Sequence, residues 1–160
     1  MDHSILLQEY SEGFNLLSKK IEGLPDKLLL FRPPIVDAWS IKEHVIHIVD
    51  CEINNFIRWR SILAQPKSTC FVIEENKWTE NLNYQKEDIS KYLQVFKILR
   101  MITNEYLADI DEKLWSKDYF MHEYQGQMKN VTLKECINIY KNHVPWHIEY
   151  IDRNIKLWKN

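Results

Sequence analysis

Glycine is scarce in this chain: three residues in 160, alongside five prolines. A sequence so poor in turn formers disfavours hairpins and a sheet and favours long helices. Cysteine is also sparse. Cys51, Cys70 and Cys136 are odd in number and show no C-x-x-C pairing, which argues against a disulfide framework and reads as reduced thiols in a cytoplasmic protein. Basic charge is not in excess. A formal net charge of -2 leaves no footprint for nucleic acid and gives no reason to expect a membrane surface as partner. No stretch approaches the roughly 18 apolar residues of a membrane span. The opening Met1-Asp2-His3-Ser4 has no basic segment followed by an apolar one, so no signal peptide is expected. What is there is ordinary soluble composition, 45% hydrophobic and 28% charged. The length predicts one domain over residues 1–160, large enough to bury about 70% of its extended surface without disulfide or metal.

Four helical stretches are legible. Leu6, Tyr10, Phe14, Leu17 and Ile21 recur at helical spacing between Ser4 and Ile21, and Gly23-Leu24-Pro25 ends that segment. The prolines of Arg32-Pro33-Pro34 predict an extended, ordered linker up to Trp39. Ser40-Ile41-Lys42-Glu43 is a capping box. It opens a second helix to about Ala64, before Pro66, with Ile41, Val45, Ile48, Phe56, Trp59 and Leu63 as its main stripe. Ile46, Val49, Ile53 and Ile57 widen that apolar surface. Such breadth, with Trp59, predicts an association surface and hence a homodimer. Glu52 falls inside the stripe and needs a partner, with Arg100 a candidate. Residues 65–85 show no clean period and predict a long crossover. The third helix is expected over Lys86–Ile110. The stretch from Asp111 to Asn130 is irregular, with Tyr119–Tyr124 a candidate extended segment. Thr132-Leu133-Lys134-Glu135 is a second capping box, starting a fourth helix that reaches Trp158. Four amphipathic helices joined by long connections predict an all-α four-helix bundle.

The fourth helix carries His143-Val144-Pro145-Trp146-His147. Residues four apart lie one above the other on a helix. Both histidines fall within the stripe of Leu133, Cys136, Ile137, Tyr140, Val144, Ile148 and Ile151. Imidazoles in a core face need partners, because an unpaired buried polar group costs roughly 1–3 kcal/mol. A divalent metal satisfies both; two satisfied core histidines are the plainer alternative. Pro145 removes the hydrogen bond to the Lys141 carbonyl and predicts a local kink that re-aims His147. His3 and His122 have no matching partner and read as surface residues. Tyr140 reads as core and Trp146 as core or pocket rim.

The ordered set of motifs resembles the DinB-like superfamily. Leu24-Pro25, Arg32-Pro33, Trp39-Ser40-Ile41-Lys42-Glu43 and His47 come first. Trp78, Leu82-Asn83-Tyr84 and Arg100 follow, then Thr132–Glu135, the His143/His147 pair and Ile151. The resemblance spans nearly the whole chain. It implies an up-down-down-up four-helix bundle and a metal held by His47, His143 and His147, with zinc or nickel suited to three imidazoles. On the helical wheel His47 lies at the flank of its stripe near Cys51. His44, one turn earlier, is the rival ligand. Asp50 and Glu52 are candidate partners of a ligand imidazole.

The resemblance also implies chemistry on a small-molecule substrate. The first reading is a thiol S-transferase that joins a low-molecular-weight thiol to a small electrophile through a metal-activated thiolate. The second is a hydrolase using metal-activated water, and the third a metal-binding stress protein without turnover. A transferase needs basic or polar groups at the mouth for an anionic thiol, with Arg32, Arg58 and Lys42 as candidates.

Overall fold

Four long helices pair diagonally distant segments of the chain. The structure is a computed structural model that describes residues 3–65, 71–124 and 127–158, with residues 118–124 and 127–129 described by backbone alone. Helix α1 is His3–Ile21, α2 Asp26–Leu29, α3 Ile41–Ala64, α4 Glu75–Asn81 and α5 Ile89–Ala108. Strands β1, Asp118–Tyr124, and β2, Gln127–Thr132, precede α6, Leu133–Trp158. Cys70 and Pro66 lie outside the described residues, as does the side chain of His122.

Both capping boxes form. The Ser40 hydroxyl accepts from the Glu43 backbone N–H at 3.3 Å, and the Glu43 carboxylate accepts from the Ser40 N–H at 2.7 Å. Glu43 also binds the Arg32 guanidinium, which anchors the proline-bearing linker to the start of α3. Thr132 and Glu135 repeat the reciprocal arrangement at α6, at 2.9 and 3.1 Å. At α5 the Asp88 side chain accepts from Ser90 N–H, so this helix starts three residues later than its periodicity suggested.

Side-chain pairs fix the directions. Glu9 meets Lys141 and Asp152 meets Lys20, so α1 and α6 run parallel. Glu52 meets Arg100 and Trp59 meets Thr103, so α3 and α5 run parallel. His44 meets His147 and Arg58 meets Tyr140, so α3 and α6 oppose each other. The bundle is therefore up-down-down-up, with α1 and α3 each packed on α5 and α6.

Two apolar clusters fill it. Leu6, Leu7, Trp59, Ile62, Leu107 and Ile137 lie in one, and Leu17, Ile41, Val45, Phe96, Val144 and Ile151 in the other. Between them Arg100 sits 4.1 Å from the Tyr10 ring and 4.7 Å from the Phe96 ring. It donates Nε and Nη2 to Glu52 at 3.1 and 2.9 Å, and also reaches the Tyr10 and Tyr140 carbonyls. Glu52 accepts further from Tyr10 Oη and from Asn55 Nδ2. The partner expected for Glu52 is thus Arg100, not a histidine. Gly13 on α1 leaves the room this guanidinium needs, because a Cβ there would strike Arg100 Nη1.

Several expectations need correction. Ile46 and Trp59 are buried within the bundle and offer nothing to a second copy, although Ile53 and Ile57 remain exposed. The 65–85 crossover contains α4, and the linker region contains the one-turn α2. The scarcity of glycine did not prevent a hairpin: β1 and β2 pair antiparallel, with an irregularity between Asp118 and Phe120. Helix α6 runs unbroken from Leu133 to Trp158 with Pro145 inside it. His3, read as an unpartnered surface residue, places Nδ1 2.9 Å from Glu112 Oε2 and stacks on Trp115 at 4.4 Å.

Candidate metal centre

The first two turns of α3 face the middle of α6, and that opposition gathers four imidazoles. His143 and His147 put their Nε2 atoms 2.9 Å apart. The His47 ring centroid lies 5.3 Å from His143 and 4.9 Å from His147. All three residues expected from the sequence are therefore brought together. His44 joins them from behind: its Nδ1 lies 2.9 Å from His147 Nδ1. With Nδ1 of His147 engaged by His44, the Nε2 of His147 is the nitrogen directed at His143. His44 therefore sits as an outer neighbour of His147. Its own Nε2 is buried without a hydrogen-bond partner.

Cys51, one turn beyond His47, places Sγ 3.4 Å from His47 Nε2. His47, Cys51 and His143 each offer a donor atom, all within 4.8 Å of one another. This set shares two members with the expected triad and adds a thiol. Burial pushes the Cys51 thiol up, as does the nearby Glu75 carboxylate, so it stands as S–H at neutral pH.

Burial sets the charge state of the rings. Desolvation lowers His44 to about 3, helped by His47, and His47 to about 4. Burial holds His143 and His147 well below the usual histidine value, helped by His47 and Arg100 at His143 and by His143 and His47 at His147. Neutral imidazoles with converging lone pairs are what a borderline divalent metal binds. The donor set of converging imidazoles therefore fits such an ion.

A cavity of about 260 Å³ opens onto this cluster. Trp39, Trp146 and Tyr150 wall it, with Glu75 and Asp37 at its edge and Arg153 as its basic residue. Trp39 packs edge-on to His47 at 4.9 Å, and its indole N–H donates to Asn76 Oδ1 at 3.2 Å. Trp146 is half exposed and 4.8 Å from His147. Glu75 Oε1 lies 3.9 Å from His47 Nε2, and burial raises its carboxyl. Of the basic residues expected at the mouth, Arg32 is bound to Glu43, Lys42 donates to the Gln85 carbonyl and Arg58 is buried against Tyr140. Arg153 and Glu75 were missed: neither belongs to a motif or stripe, and only the path of the chain brings them here. Asp50 accepts from Tyr84, and among the described residues no hydrogen bond or ion pair joins it to a histidine.

The comparisons agree with this architecture. A Bacillus cereus (strain 03BB102) protein proposed to be a metal-dependent hydrolase is 28% identical over 147 residues, spanning 91% of this chain and 80% of that protein. YfiT from Bacillus subtilis, described as a probable metal-dependent hydrolase with an unusual four-helix bundle topology, shares the fold with a TM-score of 0.83. Its identity is 21%, over 94% of this chain and 84% of that one. The mycothiol-dependent maleylpyruvate isomerase shares the fold at a TM-score of 0.72 and 11% identity, over 94% of this chain and 61% of that one. No helix among the described residues is long and apolar enough to cross a membrane. A family model of the DinB superfamily matches residues 9–151, and the chain belongs to that superfamily.

Proposed function

We propose that this chain is a metal-dependent enzyme that transfers a low-molecular-weight thiol to a small electrophile, with His47, His143 and His147 as its metal donors. The observation that carries the reading is the convergence of neutral imidazoles, buried at His47 and His147 and half-buried at His143, beside an aromatic-walled opening. When bound, zinc or nickel supplies a Lewis acid that makes a thiol or a water nucleophilic at neutral pH. The chain supplies the rest. His44 holds His147 by its Nδ1, which keeps Nε2 free as a donor. Trp39, Trp146 and Tyr150 give the opening an aromatic wall, and Arg153 gives it a positive group to orient an anionic thiol. Glu75 stands at the edge of the cluster, within reach of a proton released there.

Hydrolysis is the second reading, favoured by the description of the Bacillus cereus relative as a proposed metal-dependent hydrolase. The fold shared with a mycothiol-dependent enzyme supports the thiol reading. The test has two parts. Purified protein should hold about one divalent transition metal per chain, and His143→Ala or His47→Ala should remove it; full occupancy in both variants overturns the metal site. Product mass then decides the chemistry. A thioether adduct supports transfer, incorporation of solvent oxygen supports hydrolysis, and neither product across thiols, electrophiles and esters overturns the enzyme reading.

A further inference from the structure

Two arginines are buried in this bundle, and they are treated differently. Arg100, 2% exposed, has a carboxylate and two carbonyls for its donors. Arg58, 6% exposed, has only neutral acceptors. Its Nη1 donates to Tyr140 Oη at 2.7 Å and its Nη2 to the Phe71 carbonyl at 2.9 Å, while Nε has no partner. Among the described residues no carboxylate forms an ion pair with it. A buried cation without an anion is expensive, because desolvation of the charge is offset only by dipoles.

Arg58 also lines a cavity of about 350 Å³ that shares no lining residue with the opening over the histidines. That volume is at the lower end of the roughly 300–1,000 Å³ typical of small-molecule sites. Helix α4 stands between the two spaces: Glu75 borders the histidine opening and Trp78 borders this cavity. Ile53, Ile57, Phe71 and Trp78 form apolar walls, with Asn54 and Ser61 as neutral polar neighbours. Ile57 is 59% exposed and Phe71 61% exposed, an unusual expense of apolar surface in a concave site. Phe71 and Trp78 face each other at 5.8 Å. Asp50 borders the cavity two turns of α3 before Arg58, where its carboxylate accepts from Tyr84 Oη at 2.5 Å. One end of the cavity is thus cationic and the other repels anions.

We propose that this cavity binds an apolar monocarboxylate, with the carboxylate at Arg58 and the apolar body against Ile53, Ile57, Phe71 and Trp78. The polarity follows from the two ends: a carboxylate at Arg58 completes the unpaired guanidinium, and the same group near Asp50 would face a like charge. The site is independent of the metal reading, because none of its residues belongs to the histidine cluster.

Calorimetric titration of the full chain with octanoate and with octanamide, its neutral analogue, tests the assignment. Octanoate should bind at one site per chain and at least tenfold more tightly than octanamide. Ile57→Asp puts a negative charge on the rim at an exposed position and leaves buried Arg58 in place. With its fold verified by circular dichroism, it should weaken octanoate at least tenfold. His143→Ala should leave octanoate affinity within twofold. Equal affinity for acid and amide, no binding of octanoate at millimolar concentration, or unchanged affinity in Ile57→Asp would overturn the proposal. Loss of binding in His143→Ala would place the probe at the histidine cluster and overturn it equally.

Discussion

Replacing Glu52 by Ala tests how the middle of the bundle is held. Glu52 and Arg100 are 1% and 2% exposed, and their pair lies between the two apolar clusters. The substitution leaves Arg100 with two carbonyl acceptors in place of four hydrogen bonds. It also strips Tyr10 Oη of its acceptor and leaves Asn55 Nδ2 with Tyr10 Oη alone. Removing one member of a buried pair costs about 3–5 kcal/mol, because the remaining charge stays desolvated. For a chain of this size each kcal/mol moves the midpoint of thermal unfolding by about 2–4 °C, so the fall should be roughly 6–20 °C. Differential scanning calorimetry and urea titration give the two numbers. The double variant Glu52→Ala/Arg100→Met should be less destabilised than the sum of the single ones, since it carries no orphaned charge. A loss below about 1 kcal/mol in Glu52→Ala, or strict additivity in the cycle, would refute the claim that this pair is coupled and buried.

Three further outcomes follow from the same contacts. Gly13→Ala should destabilise by about 1–3 kcal/mol by overpacking against Arg100, although Ala is the better helix former; a stabilised variant in urea melts would show that the guanidinium moves aside freely. His44→Ala should weaken metal binding about 10–100-fold through His147, with partial recovery in His44→Gln; unchanged affinity by calorimetry would remove His44 from the site. Metal-free protein should lose stability on acidification, because unfolded histidines titrate near 6.5 whereas folded His44 and His47 titrate at about 3 and 4. Stability is then full above pH 6.5 and falls as the unfolded chain takes up protons, by about 4 kcal/mol for these two residues at pH 5; identical urea midpoints at pH 7 and pH 5 would contradict the burial of neutral rings.

Much of the bundle was legible because its signals are local. Stripes of apolar residues and two reciprocal capping boxes mark α1, α3, α5 and α6 to within a few residues. The His143/His147 pair was legible for the same reason, since four residues make one turn. Helix α4 was not, because seven residues without a long stripe fold by docking on α3. The hairpin was obscured by a composition argument that counts glycines over the whole chain and says nothing of where one stands. The distinction between His44 and His47 lies beyond periodicity. Both are on nearly the same face, and only the approach of α6 decides which ring meets His143 and which meets the rear of His147.

The parallel pairing of α3 with α5 has a consequence for how such a site diversifies. A 24-residue α3 is about 36 Å long. Two consecutive helices that point the same way oblige the chain between them to travel back along that whole length. This return path lays α4 across the start of α3, with Glu75 over one recess and Trp78 over another. In a bundle of simple antiparallel hairpins the connection would be a tight turn at one end, and the histidines would lack this wall. The topology thus separates two jobs. Helices α3 and α6 hold the imidazoles, while a segment outside the four-helix core shapes what reaches them. Substitutions at Glu75 and Trp78, which border the two recesses, can therefore retune selectivity while leaving in place the helices that carry the histidine cluster.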